Sequence, residues 1–383
     1  TSEELEKSLE EFSKKLKNKE ETDWNDKKQL EDFIERQKRY QEMMDKNAEM
    51  MKENLDDMDL EEQPELDDKK EELQKRWEEM ADYKEKEELI KELEELAEKL
   101  HKEDLIEKID KLKEQSKQEK RTLERILELT KQFYVEKKSA QIMEKLEELS
   151  EEQLDLSTEE INSKEEQEKL TSKFDSIQKD FEELREQNEA LKDPMDIFDS
   201  KADEKLIELD MKDAEESLES SEQKEGKQQS DSEKKAKEQQ RRAAQRMKEL
   251  SKKMESGLME MEMQGVEENI EDLQQILKNL LRFSLEQEEL MLSFDQVSAR
   301  NADFPKKLKE QIKLKEHFEH IDDSLYALSL RMVKISSKIQ EDIGSAHYNL
   351  DKSLENIAEN RIQQGMSNQQ YTMTAANNLA DLL

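Results

Sequence analysis

The segment LTSKFDSIQKDFEELREQNEAL, residues 170–191, carries the clearest structural signal in this chain. Its apolar side chains are three, four or seven positions apart, so they would form one stripe along a helix: Leu170, Phe174, Ile177, Phe181, Leu184 and Leu191. Such a stripe predicts an amphipathic helix that needs a second helix to cover it. Asp193 and Pro194 predict the end of this helix, because the residue before a proline avoids helical dihedral angles.

Comparable stripes lie on both sides of this segment. Towards the N-terminus they comprise Leu5, Leu9, Phe12 and Leu16, with Thr1 and Glu4 as a capping box, and then Leu89, Leu93, Leu96 and Leu100, continued after a small phase slip by Leu105, Ile109 and Leu112. Towards the C-terminus one stripe comprises Ile321, Leu325, Leu328, Met332, Ile335, Ile339 and Ile343. Pro64 predicts an interruption, residues 151–163 predict a reversal of direction, and Gly365 predicts a helix stop.

The composition also favours helices. Of the 383 residues 32% are hydrophobic and 44% are charged, whereas globular chains have about 45–50% and about 25%. A thick core cannot be built from this composition, and five glycines with three prolines leave long uninterrupted segments. We therefore predict an all-α fold of elongated coiled-coil hairpins and helical bundles. Disorder is the alternative for a chain of this charge, and the regular apolar spacing argues against it.

Charge is distributed unevenly about the polar stretch ESSEQKEGKQQSDSEKKAKEQQ, residues 219–240. Residues 1–230 hold 43 basic and 75 acidic side chains, a net charge of -32, whereas residues 231–383 hold 22 and 27. Three regions are predicted from this pattern: an acidic coiled-coil region at 1–218, a polar linker or solvated helix at 219–240, and a near-neutral, methionine-rich helical region at 241–383. The two outer regions are expected to have different partners.

No pattern of enzyme chemistry occurs in the chain. Five scattered glycines could hardly build a phosphate loop or a nucleophile elbow, and the absence of cysteine excludes disulfides and thiolate metal sites. Two groups have the residue types of a metal site: His317 and His320 with Glu316 and Glu319, and Glu98 with His101. The first group lacks a third ligand at a recognisable offset, so we interpret its histidines as structural or solvent-facing. The second lacks another copy on a second helix, so we interpret Glu98 and His101 as surface neighbours, and we expect no cofactor or metal.

The net charge of -37 argues against nucleic acid as a partner. One compact basic cluster, Arg241, Arg242 and Arg246, is expected to pair with nearby glutamates. Protein partners are a better match, and the candidate residues for binding them are Met247, Met254, Met259, Met261 and Met263. Thioethers adapt to varied surfaces, although a methionine stripe is more often ordinary helix-packing core.

Four stretches in the C-terminal half carry a family resemblance: AAQRMKELSKKM at 243–254, NLLRFSLEQEELM at 279–291, LSLRMVKISSKI at 328–339 and RIQQGMSNQQYTMTAANNLADLL at 361–383. They resemble a family of large, uncharacterised, membrane-anchored envelope proteins of Bacteroidetes-type Gram-negative bacteria. The resemblance implies that membrane-spanning helices come first, that a long helical region follows outside the cytoplasm, and that a tail rich in Met, Gln and Gly comes last. It implies no catalytic residues.

The expected function is a non-enzymatic helical scaffold or spacer of the cell envelope or periplasm that binds other proteins. The chain contains no run of 18 apolar residues, so any membrane contact is expected through segments outside it. It starts without Met and stops within an amphipathic pattern, which we interpret as a piece of a longer protein. A holdase-type chaperone and a cytoplasmic filament-like coiled coil are the alternatives, and self-association stays open.

Overall fold

The computed structural model describes residues 2–19, 23–56, 64–81, 84–99, 102–159, 162–295, 303–336 and 338–383. Within these ranges the backbone forms eleven α-helices and no strand, which confirms the all-α prediction. The helices are α1 (Ser2–Asn18), α2 (Trp24–Asp56), α3 (Pro64–Ala81), α4 (Lys84–Lys99), α5 (Lys102–Thr158), α6 (Lys164–Glu189), α7 (Lys201–Glu222), α8 (Lys227–Asp295), α9 (Phe304–Ser329), α10 (Lys338–Ala358) and α11 (Ile362–Leu382). None of them combines the length and the apolar character needed to span a bilayer.

The chain forms two compact units. The terminal unit combines Thr1–Leu129 with Asn269–Leu383, and the central unit is Thr130–Glu268. The long helices α5 and α8 each contribute to both units. The polar stretch 219–240 therefore lies inside the central unit and does not separate the units, unlike the sequence-based division at 218 and 241.

Residues 219–240 instead connect two helices of the central unit. The helix α7 ends at Glu222, and α8 begins at Lys227 after a turn in which Gly226 has φ +67°. Glycine adopts this conformation at little cost, so it permits the chain to turn sharply. Ala236, Gln239 and Gln240 are already buried in the first turns of α8. The polar sequence thus encodes an αα-hairpin with one packed face.

The central unit is an antiparallel four-helix bundle of residues 130–158, α6, α7 and residues 227–268. Contacts between neighbouring helices fix its directions: Lys145 with Asp180, Arg185 with Glu204, Arg246 with Asp210, and Ser251 with Glu147. Further contacts show that paired helices run in opposite directions: Lys164 at the start of α6 meets Glu219 at the end of α7, and Arg241 meets Ser157 whereas Ser251, later on α8, meets the earlier Glu147 of α5. The predicted stripe of α6 is covered in this core, because Phe174 and Phe181 are buried there. Ser163 caps α6 by accepting from the amide of Glu166 at 3.2 Å, after the predicted reversal.

The terminal unit contains two apolar clusters. One joins α1, α2, α4 and the start of α5, around Leu16, Phe33, Leu93 and Ile109. The other joins the end of α8 to α9, α10 and α11. Antiparallel pairing in the second cluster follows from contacts between successive helices: Gln287 with Gln311, Asp322 with His347, and Asp342 with Asn378.

Two buried glutamine triads have the same bonding pattern. In the central unit Gln153 and Gln167 exchange hydrogen bonds of 2.8 and 2.9 Å, and Gln240 donates to the oxygen of Gln167 at 2.9 Å. In the terminal unit Gln287 and Gln311 exchange bonds of 2.9 and 2.8 Å, and Gln369 donates to the oxygen of Gln311 at 2.6 Å. All six amides are fully buried. Each triad joins three helices and specifies their register, because a shifted helix would leave amides without partners.

Two stripes that the sequence suggested as continuous are interrupted. The helix α4 ends at Lys99, α5 begins at Lys102, and Lys108 pairs with Glu92, so α5 folds back along α4 instead of continuing it. The stripe from Ile321 to Ile343 is likewise divided between α9 and α10. Leu100 and Thr1, and with Thr1 the predicted capping box, lie outside the described residues.

Gly365 is not a helix stop. The break lies at Asn360, which has φ +65°, and α11 runs through Gly365. A Cβ atom on Gly365 would lie 2.5 Å from Cγ1 of Ile357, so the glycine permits α10 and α11 to approach closely. The close packing of α10 against α11, and not a reversal of the chain, therefore explains why glycine occupies position 365.

Candidate functional site

The structure divides the five candidate methionines into two groups. Met247 and Met254 are 0% and 5% exposed and belong to the core of the central unit, so they hold α8 in the bundle. Met259 and Met263 are 61% and 70% exposed, and Met261 is half-buried. The prediction of a binding surface is therefore wrong for the first two, which are packing residues, and stays a prediction for the other three.

The exposed methionines lie in a part of α8 that has no buried residue. Met254 and Ile276 are buried, and every residue from Glu255 to Gln275 is exposed or half-buried. Met259, Met263 and Val266 are four and three positions apart, so they share one side of the helix. We call these three residues the methionine face. Val266 is also more than half exposed, and within the described residues no helix covers this face.

Negative charge surrounds the methionine face. Between Met254 and Asn269 the helix carries five acidic side chains and no basic one: Glu255, Glu260, Glu262, Glu267 and Glu268. An apolar strip flanked by charges of one sign has the layout of a coiled-coil seam that selects its partner through charge. The part of α8 that belongs to the terminal unit has exposed apolar residues of its own: Ile270, Leu281, Leu285 and Leu292.

A buried titratable cluster lies in the terminal unit. The carboxylate of Asp322 on α9 meets Nε2 of His347 on α10 at 2.9 Å and a guanidinium nitrogen of Arg121 on α5 at 2.5 Å. Burial by itself would raise the pKa of Asp322, but the hydrogen bond to His347 and the charge of Arg121 outweigh it, and the pKa is lowered. Phe318 packs against the imidazole with a ring separation of 5.0 Å. The cluster cross-links three helices. Sequence reasoning missed it because its members are far apart in the chain.

The other sequence candidates lie elsewhere. Nδ1 of His317 is 3.7 Å from a carboxylate oxygen of Glu286, and His320 is exposed. His101 lies outside the described residues, as does the side chain of Glu98. Within the ranges that the structure describes, no three His, Asp or Glu side chains form a group able to hold a metal ion.

Two arginines of the basic cluster, Arg242 and Arg246, pair with acidic side chains, and the predicted pairing with a glutamate is confirmed for Arg242. Arg242 meets Glu238 at 3.3 Å on the same helix, and both Arg242 and Arg246 reach Asp210 on α7. Arg241 donates to the hydroxyl of Ser157 at 3.4 Å. The pairing with Asp210 connects α8 to α7, so two of these arginines have a role in bundle packing.

Comparison of the chain with protein-family models, with curated proteins and with solved structures finds no match.

Proposed function

We propose that this chain is a non-enzymatic helical scaffold that binds other proteins, and that its methionine face receives an amphipathic helix of a partner. The observation that carries the proposal is the exposure of Met259, Met263 and Val266 on a helical stretch without buried residues. Helices of globular proteins turn such a face towards a core. An exposed apolar face rimmed by charge is typical of an interaction site.

The flanking charges select the partner. Two copies of the segment 255–268 would bring glutamates against glutamates in either orientation, because it contains no basic residue. A partner helix with Lys or Arg beside its apolar seam would instead form ion pairs along both edges. We therefore infer a basic amphipathic helix and not a second copy of this segment. The segment spans about 20 Å, so the expected interface is small and the affinity is expected to be modest, in the micromolar range, about -8 kcal/mol.

Two synthetic helical peptides test this assignment. Both have leucine at the seam positions, and one has lysine and the other glutamate at the flanking positions. Fluorescence anisotropy at 150 mM salt should detect binding of the lysine peptide alone. Met259→Glu with Met263→Glu should weaken that binding at least about tenfold, a loss of about 1.4 kcal/mol.

Matched variants separate the apolar face from the added charge. Gln264→Glu with Gln275→Glu adds the same two charges on the opposite side of α8 and should change the affinity little. Met259→Leu with Met263→Leu keeps the face apolar and should retain binding. Equal weakening by the two glutamate variants would overturn the assignment, since general repulsion would then account for both.

The cellular location is a separate proposal that rests on the family resemblance. We propose that the chain is the helical region of an envelope protein, supported by the four C-terminal stretches named above. Immunodetection of the native protein after fractionation of its source cells should place it with the envelope or periplasmic fraction. Recovery with the cytoplasmic fraction would favour the filament-like alternative.

A further inference from the structure

A stripe of leucines lies on the outer side of α8 in the terminal unit. Leu281, Leu285 and Leu292 are 56%, 66% and 57% exposed. They are four and seven positions apart, so they lie on one side of the helix. The opposite side holds Phe283 and Leu290, which are buried in the core of the terminal unit. We call the three exposed residues the leucine stripe, and no helix among the described residues covers it.

Two exposed charges complete the stripe as a coiled-coil seam. Lys278 comes three positions before the first leucine and Glu288 three positions after the second, which gives the alternating three and four spacing of a seam. Neither has an opposite charge three or four positions away on α8, and neither forms an ion pair within the described part of the chain. Arg282, by contrast, is paired with Glu286 at 2.7 Å. Lys278 and Glu288 are therefore free to pair with another molecule.

The seam is complementary to itself in one orientation. Leu281 and Leu285 are each two positions from residue 283, and Lys278 and Glu288 are each five positions from it. An antiparallel second copy, related by a two-fold axis at the level of residue 283, therefore places leucine against leucine and lysine against glutamate. The axis makes each contact occur twice. Parallel copies in register would instead bring lysine against lysine and glutamate against glutamate, which disfavours that orientation.

We propose that this chain forms a dimer through antiparallel α8 helices of its terminal units, with the leucine stripe at the centre and a Lys278–Glu288 ion pair on each side. Gln274 and Leu292, each nine positions from the axis, form the outer layers. The segment 274–292 spans about 27 Å, so the interface is small and we expect a dissociation constant of roughly 10–100 µM. The inference does not depend on the methionine face, which comprises other residues and a different partner.

Sedimentation velocity of the full chain over about 5–300 µM measures the self-association. Salt at about 150 mM screens the repulsion between two chains of net charge -37, because the Debye length is then about 8 Å. The unaltered chain should shift from monomer to dimer, and Leu281→Lys with Leu285→Lys should weaken the dimer at least about tenfold. Leu206→Lys with Leu209→Lys, at exposed leucines of α7, adds the same charges and should leave the dimer intact. A chain that stays monomeric, or equal effects of the two variants, would overturn the proposal.

Charge reversal tests the pairing even if one variant is poorly folded. Lys278→Glu or Glu288→Lys alone places like charges together at both ends of the leucine stripe and should weaken the dimer. An equimolar mixture of the two variants should form a heterodimer, because each reversed charge then meets an opposite one. Both changes in one chain should restore the homodimer. A mixture that associates no more strongly than either variant alone would contradict the pairing. Met259→Glu with Met263→Glu should leave the dimer unchanged, so this proposal and the binding of a basic helix can fail separately.

Introduced cysteines test the orientation, since the chain has none of its own. A mixture of the Gln274→Cys and Leu292→Cys variants should form a disulfide-linked heterodimer under mild oxidation. Gln274→Cys alone should not cross-link efficiently, because the two thiols of an antiparallel dimer would lie about 27 Å apart. Efficient cross-linking of Gln274→Cys to itself, without the mixed product, would indicate a parallel pair and overturn the proposal.

Discussion

Nε of Arg125 donates to the backbone carbonyl oxygen of Ser329 at 3.0 Å, although 204 residues separate the two in sequence. The same guanidinium donates to the carbonyl oxygens of Met332 and Ile335. These carbonyls lie at the end of α9 and in the segment between α9 and α10. The last carbonyl groups of a helix have no amide donor from a following turn. The fully buried arginine on α5 therefore caps the C-terminus of α9 from another helix. Because this cap stabilises the end of α9, the apolar stripe from Ile321 to Ile343 can be divided between α9 and α10.

Replacement of this arginine should destabilise the terminal unit. Arg125→Met keeps much of the side-chain length but leaves the buried carbonyl oxygens of Ser329 and Ile335 without this donor, and we expect a loss of about 3 kcal/mol. Urea unfolding followed by the fluorescence of the buried Trp77, in the same unit, measures the loss. Arg36→Met removes a charge from an exposed position on α2 and is the control. A change no larger than that of the control would contradict the capping role.

The glutamine pair of the central unit should show strong non-additivity. Gln153→Leu alone leaves the buried amide nitrogen of Gln167 without its acceptor, and Gln167→Leu alone leaves Gln153 without its partner and Gln240 with only its bonds to Asn162. Each single change is expected to cost about 1–3 kcal/mol. The double variant removes both polar groups and should cost less than the two single changes together. Hydrogen exchange over residues 140–180 measures the local stability of each variant. Additive costs would show that the reciprocal bonds contribute little.

The start of α2 provides a pH-dependent contribution. The Asp23 carboxylate accepts from the amide of Asp26 at 2.9 Å, and the Asp26 carboxylate accepts from the amide of Asp23 at 3.1 Å, which forms a capping box. Burial by itself would raise the pKa of Asp26. The hydrogen bonds from Lys19, from the Asp23 amide and from Lys15 outweigh it and hold the pKa at about 2.

This lowered pKa fixes the sign of the pH effect. Ionised Asp26 stabilises the fold fully above its ordinary pKa of 3.8, and the contribution is lost as the pH falls from there through about 2. Asp26→Asn should therefore cost about 2 kcal/mol at pH 6, and the difference from the unaltered chain should disappear near pH 2. Urea titrations at a series of pH values measure it. Asp32→Asn, exposed on the same helix, should have little effect, and a pH-independent cost of Asp26→Asn would contradict the argument.

Two helical glycines should respond oppositely to alanine. Gly365→Ala places a methyl group against Ile357 and is expected to destabilise the α10–α11 pair by about 1–3 kcal/mol. Gly265→Ala meets no atom within 4 Å and should stabilise the exposed stretch of α8 by up to about 1 kcal/mol. Thermal unfolding measures the first, and hydrogen exchange over residues 255–275 measures the second. A neutral Gly365→Ala would show that the two helices can separate without loss.

Local signals in the sequence were sufficient to predict where helices form. Apolar spacing predicted the stripe of α6, residues 151–163 the reversal before it, and Pro64 an interruption at the position where α3 begins. These signals are reliable because backbone hydrogen bonds, caps and proline restrictions act over a few residues. The predicted helix stop at Gly365 was wrong, because glycine is favoured both where a chain reverses and where two helices pack closely.

Only the tertiary structure decided which helices pair and which apolar residues stay exposed. Met254 and Met259 have the same chemistry and lie five positions apart, yet one is core and the other is surface. The cap of Arg125 on Ser329 and the pair of Arg121 with Asp322 both join helices distant in sequence. Periodicity determines that a helix has an apolar face, but the partner that covers this face depends on the assembly of all the helices, because packing energy comes from contacts between segments and not from within one.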